Sequence, residues 1–96
     1  MTRKAVRLLI EGKVQGVGYR AWTKRTAQSL GVSGWVRNLT DGRVEIHAEG
    51  HPEVLDKLAF ACEEGPSFAK VQRVIIKEHP NCNLIEFDQV ATVSPT

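Results

Sequence analysis

Twice along this chain the spacing of apolar residues switches from two to about 3.6, and a chain that does this folds as helices packed on a sheet. Val6, Leu8 and Ile10 share a face at period two and Leu9 joins the other face, which reads as an interior strand. Tyr19, Trp22, Thr26, Ala27 and Leu30 then line one side of a helix while Lys24, Arg25 and Gln28 face away, and Gly31 supplies the stop. Residues 32–39 and 43–49 return to period two around Thr40-Asp41-Gly42, a tight-hairpin signal. In the second of these runs Val44, Ile46 and Ala48 go inward and Glu45, His47 and Glu49 outward. Pro52 opens a second helix that ends at Gly65-Pro66, with Val54, Leu55, Leu58, Ala61 and Cys62 on its core face. The spacing predicts a fourth strand over 70–77, a turn at Pro80-Asn81-Cys82-Asn83, a short last strand over 84–87 and a frayed end over 91–96.

The order is βαββαβ with one extra short strand. Two helices on one face of a mostly antiparallel sheet make a ferredoxin-like α+β sandwich. A length of 96 residues allows one hydrophobic core and no second. A single domain over 1–96 is therefore expected, with its core at about 5–88 and a tail at 89–96. Many functions share this arrangement, so function has to be argued from a site.

No apolar run approaches the roughly 20 residues of a membrane-spanning helix. The basic start, Met1-Thr2-Arg3-Lys4, precedes an apolar stretch that is short and broken by Arg7, a poor signal peptide. Two cysteines make neither a disulfide framework nor a four-thiolate zinc site, although a mixed Cys/His site stays open. A reduced, cytoplasmic protein is expected. The net charge of +2 hides a split: residues 1–25 hold seven basic groups and one acid, leaving six basic and ten acidic residues in the rest. That pattern fits either solvated faces or a positive end that attracts an anion.

The junction between first strand and first helix, Gly12-Lys13-Val14-Gln15-Gly16-Val17-Gly18, has three glycines in seven positions. Glycines let successive backbone N–H groups turn inward as a nest, and the helix starting near Tyr19 adds its own unpaired N–H groups and dipole. Arg20 adds a permanent charge on a planar fork that matches phosphate oxygens. Together they read as a cradle for a dianionic phosphoryl group, against the alternative of a merely tight turn. Gly16-Val17-Gly18-Tyr19-Arg20-Ala21 also fits a dinucleotide-binding fingerprint, but the acidic residue at the right distance, Asp41, sits in a hairpin turn. No Gly-Lys-Ser/Thr run exists for a Walker loop.

The run Gly12–Arg20, followed by Leu30-Gly31-Val32-Ser33-Gly34-Trp35-Val36-Arg37-Asn38 and Asp41-Gly42-Arg43-Val44-Glu45, closely resembles the acylphosphatase family. Gly65-Pro66 with Ala69-x-Val71 resembles the pattern after its second helix. The resemblance covers roughly residues 5–88, and position 19 carries Tyr where many members carry Phe. It implies hydrolysis of a carboxyl–phosphate anhydride to a carboxylate and inorganic phosphate. By that likeness Arg20 binds the phosphoryl group with the backbone N–H groups of Gln15, Gly16, Val17, Gly18 and Tyr19, and Asn38 orients the attacking water. It implies no cofactor and no metal. The partners expected are a small-molecule acyl phosphate and inorganic phosphate, with no nucleic acid, no membrane and a monomeric chain.

The residues support that chemistry on their own terms. An acyl phosphate has a good leaving group, so positioning and charge stabilisation matter more than a strong nucleophile. The Arg20 guanidinium does not titrate, and the Asn38 amide offers both an acceptor and donors. His47, His51 and His79 read as ordinary surface histidines, Cys62 as core, Cys82 as an exposed thiol, and Trp22 and Trp35 as packing anchors. Two other classes compete: an RNA-binding module of the same topology, disfavoured by acidic residues on the central strand, and a phosphate-sensing domain without turnover. The sequon Asn38-Leu39-Thr40 reads as coincidental.

Overall fold

A computed structural model describes residues 3–95; Met1 and Thr2 of the basic start and Thr96 of the tail lie outside it. The elements run β1 (Lys4–Lys13), α1 (Tyr19–Leu30), β2 (Ser33–Asn38), β3 (Val44–Gly50), α2 (Pro52–Glu64), β4 (Lys70–Glu78) and β5 (Phe87–Gln89). The sheet order is β4-β1-β3-β2-β5, antiparallel throughout except that β5 runs parallel to β2. This is the expected α+β sandwich, and its two central strands, β1 and β3, are the ones with the strongest alternation.

The alternation converts directly into the core. Leu8 and Ile10 of β1, Val36 of β2, and Val44, Ile46 and Ala48 of β3 are fully buried and pack on Ala27 of α1 and Leu55, Leu58 and Cys62 of α2. Burying a side chain of this kind stabilises the fold by about 1.5–3 kcal/mol. On α1 the buried stripe is Tyr19, Thr23 and Ala27, with Trp22 and Leu30 at its flanks. Thr23 was not anticipated there; its hydroxyl donates to Tyr19 O at 2.8 Å, which removes the penalty of burying it. α1 ends where the sequence says, at Gly31, whose φ of 73° is the left-handed conformation that closes a helix.

Four expectations are corrected. Glu45, His47 and Glu49 do lie on the face away from the helices, but they are 4%, 1% and 0% exposed. His47 and His79 are consequently not free surface histidines: their Nδ1 atoms lie 2.7 Å apart. The last strand starts at Phe87 and not at residue 84, because the backbone N–H groups of Cys82 and Leu84 are committed to the Glu49 carboxylate. Chain beyond it, read as tail, keeps ladder contacts: Val90 N–H donates to Val36 O, and Val93 N–H to Asn38 O. Trp35 does not anchor the core but stacks on His47 with the Arg37 guanidinium 4.4 Å above its ring. Among the described residues no helix is long and apolar enough to cross a membrane.

Candidate active site

The loop between β1 and α1 is held at both ends and in its middle. Val14 is 1% exposed and Val17 packs against the core, so the two apolar side chains of the loop point inward and pin it. Gly16 and Gly18 take the positive φ values of 74° and 80°, a conformation that costs glycine nothing and other residues strain. Gln15 supplies a cross-brace that the sequence does not reveal. Its side-chain amide donates to Leu39 O at 2.7 Å and Arg43 O at 2.8 Å, tying the loop to the β2–β3 hairpin immediately after Asn38.

Gly18 precedes α1 with no side chain capping it, and the first intrahelical bond is Trp22 N–H to Gly18 O at 3.0 Å. The N–H groups of Tyr19, Arg20 and Ala21 therefore start the helix without intrahelical acceptors, at its positive end. Tyr19 fixes that end in place. Its ring is 1% exposed and its hydroxyl donates to Cys62 O at 2.7 Å, so the oxygen that distinguishes it from Phe is satisfied. Burial drives the Tyr19 hydroxyl far above its ordinary pKa and pushes the Cys62 thiol up to about 12, so neither ionises near neutrality.

A cavity of about 160 Å³ opens at this helix end, lined by Val14, Gln15, Gly16, Gly18, Tyr19, Arg20, Ala21, Asn38 and Gln89. That is about five times the ~30 Å³ of a liquid water molecule, room for a small anion and an adjoining water. Six of the seven residues singled out from the sequence meet there; Val17 faces the core instead. Arg20 has no ion-pair partner among the described residues, whereas Arg7, Arg37, Arg43 and Arg73 each hold a carboxylate. Asn38, the last residue of β2, has a buried Oδ1 with no hydrogen-bond partner. Gln89 is the wall that sequence reasoning missed, since β5 begins three residues later than expected.

None of these wall residues carries a carboxylate, imidazole or thiol, the usual metal ligands and general bases. The cavity offers instead a positive rim beside the side-chain amides of Gln15, Asn38 and Gln89. A larger cleft of about 750 Å³ lies between α1 and the chain before β5, but its charges are mixed, Arg3 and Lys24 against Glu86 and Asp88. Its guanidinium, Arg3, is bonded to Ser33 Oγ at 2.9 Å and the helix end beside it is the C-terminal one, so the small cavity is the better anion site.

The acylphosphatase family model matches residues 6–88. An acylphosphatase of Marinobacter nauticus is 55% identical over 80 residues, covering 83% of this chain and 87% of that one. An acylphosphatase of Synechococcus sp. (strain WH7803) is 54% identical over 74 residues, 77% of this chain and 74% of its own. The crystal structure of acylphosphatase from Bacillus subtilis superposes with a TM-score of 0.88 at 34% identity, covering 93% of this chain and 99% of that one.

Proposed function

This chain belongs to the acylphosphatase family and hydrolyses acyl phosphates to a carboxylate and inorganic phosphate; from that premise we propose that Arg20 and the backbone of residues 15–19 hold the phosphoryl group while Asn38 places the attacking water. The observation that carries this division of labour is the pair of uncommitted groups in one small cavity: a guanidinium with no carboxylate and a buried amide oxygen with no donor. Buried polar atoms are ordinarily paired, so an orphan on a residue that lines a cavity marks a place where a ligand or water belongs.

The steps follow from the geometry. The N–H groups of the nest and the helix end donate to the phosphoryl oxygens, and Arg20 neutralises the charge that builds on them as the transition state forms. Asn38 Oδ1 accepts a hydrogen bond from a water, turning its lone pair toward phosphorus. Attack forms the new P–O bond as the bond to the acyl oxygen breaks, and the electron pair leaves with the carboxylate. The water's proton passes to a phosphoryl oxygen of the substrate, so no protein base is required. The absence of carboxylate, imidazole and thiol from the walls supports a metal-independent reaction. The same reading makes it a monomeric, cytoplasmic enzyme that engages neither nucleic acid nor membrane.

The test is benzoyl phosphate hydrolysis alongside phosphate binding by calorimetry. Arg20→Gln is expected to lose both. A variant that binds phosphate and turns over like the parent removes Arg20 from the site, and phosphate binding without turnover in the parent favours a sensing domain.

A further inference from the structure

The face of the sheet turned away from the helices carries a second concentration of chemistry, and none of its residues lines the catalytic cavity. His47 and Glu49, both on β3, are 1% and 0% exposed. His47 Nε2 lies 2.6 Å from Glu49 Oε2, and its Nδ1 faces His79. The N–H groups of Cys82 and Leu84 donate to the two oxygens of Glu49 at 2.7 Å each, which brings the Cys82 thiol over the pair. A His47 nitrogen, a Glu49 oxygen and the Cys82 sulfur all fall within 4.8 Å of one another. The thiol's one hydrogen bond is a long 3.7 Å approach to Pro80 O, so the sulfur is available.

We propose that His47 Nε2, Glu49 Oε2 and Cys82 Sγ bind a divalent cation of the zinc class, with His79 orienting His47 from behind. The donor set decides the class: nitrogen, oxygen and sulfur together suit a borderline-soft ion, whereas magnesium or calcium selects oxygen alone. Three convergent protein ligands are what a tetrahedral ion needs when its fourth position is left to water, and the exposed Cys82 edge admits water. A ligating histidine ordinarily gives its other N–H to an acceptor, and His79 Nδ1 stands in that position 2.7 Å away. Two ligands lie side by side on one strand of the sheet, and the ion would take the place of the proton they share.

The proton balance is simple. Both imidazoles stay neutral; His47 carries its proton on Nδ1, toward His79, and offers the Nε2 lone pair to the ion. In the free protein His47 Nε2–H donates to Glu49 and His79 Nδ1–H donates to His47 Nδ1. On binding the Nε2 proton leaves to solvent, the His79 proton passes to His47 Nδ1 and His79 takes one from solvent on Nε2, so these exchanges cancel. One proton is released net, that of the Cys82 thiol, and affinity accordingly rises with pH. The bound ion would clamp the 79–84 segment to β3 immediately ahead of β5. Its role is structural, separate from the hydrolytic cavity.

Chelator-stripped protein is titrated with Zn²⁺ by calorimetry, and Co²⁺ replaces it for absorption spectra. One Zn²⁺ per chain and a thiolate-to-cobalt charge-transfer band are expected. Cys82→Ala keeps the backbone bond to Glu49 and removes an exposed side chain, so its fold should stand. It should lose the band and bind Zn²⁺ at least about tenfold more weakly, with benzoyl phosphate hydrolysis unchanged. His51→Gln, outside the cluster, should bind like the parent. No stoichiometric binding, equal binding by Cys82→Ala, or loss of binding in His51→Gln would each overturn the proposal.

Discussion

Arg20 at the start of α1 and Glu45 in the middle of β3 are charged residues in opposite circumstances. Arg20 stands beside an unpaired Asn38 oxygen and an uncapped helix end, with no carboxylate to hold it among the described residues. Glu45 is gripped by two guanidiniums, Arg7 through Oε2 and Arg37 through Oε1. Its neighbour Glu49 takes bonds from Cys82 and Leu84 as well as His47. Burial pushes the Glu45 and Glu49 carboxyls up, but those bonds outweigh it and both end below the ordinary carboxylate range. Glu45 spends its charge within the fold and contributes stability; Arg20 has no such partner and is the group proposed to meet a ligand. The contrast separates polar groups committed within the fold from uncommitted ones more sharply than burial does.

The largest effect that breaks the comparison is on turnover. Arg20→Gln should lower kcat/KM by about 10³-fold or more, as expected for losing a charged transition-state contact. Its thermal midpoint should barely move, because no ion pair is lost. Glu45→Ala should do the reverse. It leaves Arg7 and Arg37 facing each other, and a loss of about 2 kcal/mol is expected. That is below the ~3–5 of fully enclosed pairs because both arginines are 29% exposed. In a domain this size Tm should fall by about 8–16 °C, with activity of the folded fraction retained. A Glu45→Ala protein as stable as the parent would show that the pairing contributes nothing.

Gln15→Ala tests the brace between the two halves of the site. Loss of two hydrogen bonds to Leu39 O and Arg43 O should cut kcat about tenfold by loosening the loop relative to Asn38, with phosphate affinity little changed. The smallest effect is a null one. No wall residue titrates between pH 5 and 8, so kcat should show no step near ~6.5. A step that disappears on substituting one histidine would contradict a base-free mechanism. Stability has its own pH dependence. The depressed Glu45 carboxyl stabilises the fold above its unfolded pKa, and that contribution is lost as pH falls through the lower folded value.

Much of the fold was legible because it rests on periodicity and punctuation. α1 was read to the residue, since an amphipathic run ends at a glycine, and the β2–β3 hairpin followed from Asp41-Gly42. Arg20 and Asn38, the residues proposed to act, were singled out through the family resemblance and by what their side chains can do, and they line one cavity. The outer face was misread because alternation says which residues share a face, not whether another segment covers it. Glu45, His47 and Glu49 look like surface residues by composition; the 79–84 segment that supplies partners to two of them has no period to announce its path. The apolar pair Leu84-Ile85 drew the last strand too early, although Ile85 is 92% exposed and the ladder starts at Phe87. Gln89 was missed as a consequence.

The central claim is that Asn38 serves the water and not the phosphate. Measuring inorganic phosphate affinity and benzoyl phosphate turnover on the same Asn38→Ala preparation tests it most directly. Phosphate affinity within about threefold of the parent and kcat lower by about 10²–10³-fold are expected, with a thermal midpoint equal or higher because an unsatisfied buried oxygen has been removed. Parent-like kcat, or a loss of phosphate binding that matches the loss of turnover, would contradict it.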